Sequence, residues 1–408
     1  MTFDGRFPGD FFANLSPGQV VATIIEKAAE LHVSDLFLLA EESGLRVAFR
    51  RMGGIETVAA LPLELGRSVI TLIKAEAGID LGDRRRPHEG RRIQTVGDRV
   101  IDLRINIIPT LHGEDVCARL LDRKFGLKTL EQIGLTRIEL NKMQAMLNNP
   151  SGLILVTGPT GTGKTTTLYA ALQYLNDGTR KINTLEDPIE YAVNGLRQSQ
   201  ANNKIGLDFP ELLRNVLRQS PDVIMVGEIR DEETATTAVR AANSGTVVLS
   251  TLHAPVAAAA VQSMAALGVN RFFLSNCLLG VVAQRLVRTL CPKCRVAYDI
   301  GESPETFADV QSFLEPGFGS FIFGPGSCDA CLQQGYTGRT AILELMLFNR
   351  ALRQLVAKGC SSEELQTFAV QQGMLEFRRS AMVKVAMGVT STEEVLRELP
   401  TDQLGLDL

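Results

Sequence analysis

The first apolar pattern along the chain is helical. In "GQVVATIIEKAAEL", residues 18–31, bulky side chains recur three and four positions apart, the spacing that lines one face of an amphipathic helix. "SDLFLLAEE" and "GLRVAFRR" follow as short apolar runs separated by a polar, glycine-containing turn, and predict two strands. "GRSVITLIKAEAG" predicts a second helix, and the stretch from Arg84 to Asp122 predicts strands with turns at Glu89-Gly90 and Gly97-Asp98. These elements make a small α+β domain over 18–125, after a short segment 1–17 and before a linker over 126–136.

From residue 137 the texture changes. The apolar runs "LILVT", "KINTLE", "DVIMVGE" and "TVVLSTLH" alternate with helix-like stretches. That alternation predicts βαβ units and a parallel sheet over 137–288, an α/β domain. A glycine-rich, cysteine-bearing stretch over 289–340 interrupts the pattern. The tail, 341–408, reads as helical in "RALRQLVAKG", "SSEELQTFAVQQGML" and "STEEVLREL".

Composition narrows the class. A chain of 408 residues has room for two or three domains. Its formal net charge is −4, and it has no Trp and only five Tyr, which argues against a polyanion binder or a base-stacking platform. "MTFDGRFPGDFFANLSPG" lacks the basic start and apolar core of a signal peptide, and no apolar run reaches the ~20 residues of a spanning helix. The expected location is therefore cytoplasmic, and seven cysteines in that setting are expected to be reduced.

Chemistry concentrates at one segment. "LILVTGPTGTGKTTTLYAAL" places Gly158, Thr160, Gly161, Thr162, Gly163, Lys164, Thr165 and Thr166 between an apolar run and a helix-like one. This is the full GxxxxGK[ST] pattern in the strand–loop–helix context that confirms it. Glycines let backbone N–H groups curl round phosphate oxygens, and the helix N-terminus adds a favourable field. Lys164 is expected to reach the β and γ phosphates of ATP, and the Thr165 hydroxyl to ligate Mg²⁺.

The later strands end in polar groups where such sheets bind ligands, at their carboxyl edge. "INTLEDPIEY" ends in Glu186 and Asp187, with Glu190 following. "DVIMVGEIRD" ends in Glu228, and "VVLSTLH" in His253. If these strands lie parallel beside "LILVT", Glu228 faces Mg²⁺ and a second carboxylate is left to polarise the attacking water. Asp231, before "EETATTAVRAANSG", reads as a helix N-cap. "CPKC" (Cys291, Cys294) and "CDAC" (Cys328, Cys331) are two CxxC pairs, and four thiolates at this spacing suit one structural Zn²⁺. Cys117, Cys277 and Cys360 lie in apolar surroundings and are expected in the core.

The ordered set "GPTGTGKTTTLY", "NTLEDPIEY", "LRQSPDVIMVGEIRDEETA" and "STLH" resembles the Walker A, Asp-box, Walker B and His-box motifs of the type II/type IV secretion ATPases, the GspE/PilB group. The likeness runs from about residue 18 to the C-terminus. It departs at "VSDLFLLA" and at "TLHAPVAAAA", where members usually carry other residues. The resemblance implies a RecA-like P-loop NTPase domain, a preceding PAS-like α+β domain, a zinc insert and a helical tail. It implies that Glu186 activates water, that Glu228 stands beside Mg²⁺ and that His253 senses the γ-phosphate. "EGRRI", "VIDLRIN" and "CARLLD" further resemble segments whose arginines complete an active site, which points to Arg91, Arg104 and Arg119.

It also implies a homo-hexamer on the inner face of the plasma membrane that works through a polytopic platform protein on pilin or pseudopilin subunits. Retraction motors of the family generally lack the four cysteines. The alternatives are a retraction or DNA-transfer motor with the same catalytic parts, or a RecA-like nucleic-acid translocase.

Overall fold

A computed structural model of the chain describes residues 6–122, 126–301 and 303–405. It divides into two compact units, with the boundary in the chain between Gly126 and Leu127. The ends expected for the first domain at 125, and part of the segment 1–17, lie outside the described residues.

In the first unit, Ser16 starts helix α1 (Pro17–Glu30) through a capping box with Gln19. Val20, Val21, Ile24, Ile25 and Ala28 form its buried stripe. Strands β1 (Asp35–Glu41), β2 (Gly44–Arg51), β3 (Gly54–Pro62), β4 (His88–Val96), β5 (Arg99–Thr110) and β6 (Gly113–Asp122) form one sheet of order β3-β2-β1-β6-β5-β4. Every neighbouring pair in it is antiparallel. Helix α2 (Leu63–Glu76) buries Val69, Ile70 and Ile73, and Phe7 and Phe12 join the same core.

The expected turn at Gly97-Asp98 lies between β4 and β5, but Glu89-Gly90 is not a turn and sits inside β4. Gly90 is there for space: a Cβ on it would stand 2.8 Å from Ala77 Cβ and from the Ala77 carbonyl oxygen. Strand β3 was not expected from the pattern.

The second unit holds a seven-stranded sheet of β7 (Gly152–Thr157), β8 (Ile182–Glu186), β9 (Arg197–Gln200), β10 (Val223–Val226), β11 (Val247–Leu252), β12 (Leu278–Leu290) and β15 (Tyr336–Leu347), in the order β15-β12-β7-β11-β10-β8-β9. All pairings from β12 to β9 are parallel, and β15 closes the sheet antiparallel to β12. β7, β8, β10 and β11 are buried along their whole length, as continuous apolar runs in a doubly covered sheet should be. Helices α3 (Arg137–Leu147), α4 (Lys164–Leu175), α5 (Phe209–Leu217), α6 (Glu232–Asn243), α7 (Ala257–Ala266) and α8 (Arg271–Cys277) connect or precede these strands.

The sheet runs past both boundaries expected around the cysteine stretch. β12 continues to Leu290, and the start of the expected helical tail is β15. Thirteen- and twelve-residue partners pairing along nearly their full length make one long ribbon, and the short sheet of β13 (Val296–Asp299) and β14 (Phe321–Gly324) sits between them in sequence. Helices α9 (Arg350–Lys358), α10 (Ser362–Gln371), α11 (Phe377–Ala386) and α12 (Thr392–Glu398) complete the unit. Among the described residues, no helix is long and apolar enough to cross a membrane.

Candidate active site

β7 delivers the chain to the loop Gly158–Gly163, and α4 begins at Lys164. Gly161 and Gly163 hold φ of 83° and 85°, a left-handed backbone that side chains with a Cβ resist. Thr160 and Thr165 are exposed, and Lys164 and Thr166 are half-buried. Lys164 Nζ donates to the carbonyls of Gly158 (2.7 Å) and Pro159 (2.9 Å), so the ammonium curls over its own loop. Thr162 Oγ1 donates to the Pro159 carbonyl at 2.9 Å.

The loop is braced from β12. Gln284, 2 % exposed, donates through Nε2 to the Thr162 carbonyl at 2.5 Å and accepts from Thr167 Oγ1 at 2.7 Å. A Cβ on Gly163 would meet this Nε2 at 2.8 Å, so that glycine is needed for close approach as well as for backbone angle. Next to it, buried Arg285 donates to the Pro255 carbonyl at 2.9 Å and lies over the Phe377 ring. Sequence reasoning missed both residues. The signal is present in "VVAQRLVR", where a polar pair interrupts the apolar run of the strand.

The carboxyl edge of the parallel strands brings the expected polar groups to the P-loop side. Glu228 follows β10, and His253 follows β11. His253 Nε2 lies 3.1 Å from Glu228 Oε1, and Arg230 Nη2 donates to Glu228 Oε2 at 2.6 Å. Burial alone would raise the Glu228 pKa, but Arg230, His253 and Lys164 outweigh it and hold the carboxyl below the usual range. Burial depresses the Lys164 ammonium in turn, against the pull of Glu228. The two residues therefore sense one another's charge. The donor set of Lys164, an exposed Thr165 hydroxyl and an ionised Glu228 suits a triphosphate with its magnesium. Asp231 caps α6 by accepting from Thr234 N at 2.8 Å.

Glu186 is placed differently. It is 3 % exposed and accepts from Tyr169 Oη (2.5 Å), Thr184 Oγ1 (2.6 Å) and Gln198 Nε2 (3.1 Å). Both oxygens are thus engaged inside the protein. Asp187, exposed, and Glu190, half-buried, lie in the loop that follows.

The three arginines lie in the first unit, in one cross-strand row. Arg91 faces Arg104 across β4 and β5, and Arg104 faces Arg119 across β5 and β6. Arg91 makes a two-pronged contact with Asp102, at 2.8 and 2.5 Å, and Arg119 Nε donates to Asp35 at 3.0 Å.

Cys291, Cys294, Cys328 and Cys331 converge with all Sγ atoms within 4.8 Å of one another. The closest pairs are 3.7–3.8 Å apart. A Zn–S bond of about 2.3 Å in a tetrahedron sets Sγ–Sγ edges of about 3.8 Å, so the four thiols fit that ion. Of the other cysteines, Cys277 is buried in the core, while Cys117 and Cys360 are half-buried.

A family model described as "Type II/IV secretion system protein" matches residues 16–397. The Type II secretion system protein E of Pseudomonas aeruginosa is 41% identical over 379 residues, which span 93% of this chain and 74% of that protein. The Type II secretion system ATPase E of Vibrio cholerae is 38% identical over 379 residues, with 93% and 74% covered. Among solved structures, the Legionella pneumophila ATPase DotB matches with a TM-score of 0.70 at 19% identity, covering 94% of this chain and 95% of that one, a likeness of fold.

Proposed function

We propose that this chain, which belongs to the type II/IV secretion system protein family, is a Mg²⁺-dependent ATPase motor that powers type II secretion or type IV pilus assembly. The observation that carries the reading is the P-loop lysine, Lys164, set on the β7–α4 junction within the electrostatic reach of Glu228, which contacts His253 at the neighbouring strand ends. Lys164 and the loop N–H groups hold the β and γ phosphates. The Thr165 hydroxyl and Glu228 hold Mg²⁺, which supplies charge neutralisation on the phosphates when bound. His253, in contact with Glu228, reports on the terminal phosphate. Glu186, at the end of β8, is the carboxylate that polarises the attacking water, and Asp187 and Glu190 follow it in the same loop.

In this reading the chain acts as a homo-hexamer at the inner face of the plasma membrane. The arginine row Arg91–Arg104–Arg119 completes the nucleotide pocket of a neighbouring subunit, and motion passes to a polytopic platform protein that handles pilin-like subunits. The four cysteines hold Zn²⁺, which ties down a segment with little core of its own. The six-part division of the chain, with a nucleotide-binding domain over 137–288 and a metal-binding insert over 289–340, is the working map of these roles. The purified chain should turn over ATP only with Mg²⁺, and Lys164→Ala should abolish nucleotide binding. A wild-type chain that binds no ATP, or binds it without any turnover in assembled form, would overturn the reading.

A further inference from the structure

Strand β12 outlasts its parallel partner. The last β7 residue paired with it is Thr157, opposite Ala283, so β12 runs on beside the phosphate loop while Gln284 stays paired with Leu343 of β15. Gln284 is thus fixed in the sheet at the point where β7 has become loop. The backbones come close there: a Cβ on Gly158 would stand 2.5 Å from the Gln284 carbonyl oxygen, so only glycine fits. The Gln284 side chain uses both ends of its amide. Nε2 donates to the Thr162 carbonyl at 2.5 Å and Oε1 accepts from Thr167 Oγ1 at 2.7 Å, one partner in the loop and one on α4. Gln284, Thr162 and Thr167 are all buried, which strengthens both bonds and keeps competing water away.

We propose that Gln284 is a positioning residue for the nucleotide: it sets the peptide between Thr162 and Gly163 so that the N–H of that peptide faces a bound phosphate. This rests on the ATPase reading above. In a planar trans peptide the C=O and N–H point in opposite directions. A Thr162 carbonyl held on Gln284 therefore turns the Gly163 N–H away from β12. The glycines on either side of Thr162, Gly161 and Gly163, have no Cβ to stiffen the backbone, so the orientation of this peptide depends on what holds its carbonyl. Thr167 in turn orients the amide: with the acceptor end pinned on α4, the donor end faces the loop. A carboxylate of the same length offers acceptors only, and a thioether offers no N–H, so the pair of bonds needs Gln. An N–H aimed at an anion makes a charge-assisted bond. The phosphates next to the ribose are present in ADP as well as ATP, so the effect falls on the binding of both nucleotides rather than on the transition state alone.

The test uses the full chain with Mg²⁺, equilibrium binding of fluorescent ATP and ADP analogues, and steady-state ATP turnover. Gln284→Met keeps the length of the side chain and removes both bonds. It is expected to weaken binding of both analogues about 10-fold, with kcat within about 3-fold of wild type. Thr167→Val leaves the donor to the loop in place and should weaken binding less than Gln284→Met does. Val282→Ala, buried two residues earlier on the same strand, is the control. It should lower the thermal midpoint by opening a cavity and leave both affinities within about 2-fold of wild type.

Wild-type affinity for both analogues in Gln284→Met would overturn the proposal. A fall in kcat at unchanged affinity would also overturn it, because the residue would then act on the chemical step and not on binding. So would an equal loss of affinity in Val282→Ala, which would reduce the effect to a general loosening of the strand. Should Gln284→Met fail to fold, Gln284→Glu takes its place: it keeps the size and the acceptor for Thr167, loses the donor to Thr162, and carries the same expected split. A wild-type chain that binds neither analogue would remove the ATPase reading and this proposal together. Equal binding by a turning-over wild type and by the Gln284 variant would remove the proposal alone.

Discussion

Arg104 on β5 and Arg119 on β6 are direct cross-strand partners, and Arg91 faces Arg104 from the other side. Like charges directly opposite one another on a sheet are destabilising. Asp102 pairs with Arg91 and Asp35 with Arg119. Arg104→Ala and Arg119→Ala should each reduce ATP turnover, on the order of 10³-fold if the guanidinium stabilises transferring phosphate, while nucleotide binding persists. If the arginine row acts on a neighbouring subunit's nucleotide as proposed, mixing Arg104→Ala with Lys164→Ala chains should recover part of the activity. Mixed rings as inactive as either parent would count against action between subunits.

Glu228 is held ionised by Arg230, His253 and Lys164 despite its burial. Glu228→Gln removes the charge proposed to face magnesium but keeps the shape. Turnover should fall by about 10² or more, with the nucleotide still bound. Equilibrium binding and turnover measured on the same sample would check this, and near-normal rates would remove the metal assignment.

The four cysteine sulfurs have the spacing of a tetrahedral site. Elemental analysis of the purified chain should find a single zinc ion per chain. Chelation or Cys331→Ser should lower the thermal midpoint. Thiols must lose protons to bind metal, so zinc should leave more readily as the pH is lowered. A metal-free preparation with unchanged melting would end this assignment.

Glu344 on β15 is a buried carboxylate that accepts from Ala257 N (2.9 Å), Phe377 N (3.3 Å) and Gln366 Nε2 (2.9 Å), and so joins the starts of α7 and α11. Burial raises its pKa against those donors. A carboxyl that binds its proton more tightly when folded makes the folded state lose stability as pH rises from the ordinary carboxylate range through the raised value. Denaturant unfolding across that window should show this decline, and Glu344→Gln should flatten it. Glu344→Leu leaves three buried donors without an acceptor and should cost about 2–4 kcal/mol. An unchanged pH slope in Glu344→Gln would assign the decline to other groups.

Much of this protein was legible in the sequence because the signals are local. The helix and strand periods of α1, β1, β2, β7, β10 and β11 are written in consecutive residues. So are the P-loop and the two CxxC pairs, whose chemistry depends on spacing within one short segment. Buried parallel strands with polar ends also announce a carboxyl-edge site before any neighbour is known.

What the tertiary structure alone decided are the relations between distant segments. Thr167 and Gln284 are 117 residues apart, and only the β7–β12 pairing brings Gln284 under the P-loop. The arginine row exists only through the register of β4, β5 and β6. Gly90 reads as a turn in sequence, whereas the approach of Ala77 makes it a strand residue. Glu186 reads as an acid at a strand end, and the phenol of Tyr169 closes over it. A side chain's type limits what it can do, but its solvent access and hydrogen-bond partners come from packing against residues that sequence distance does not reveal.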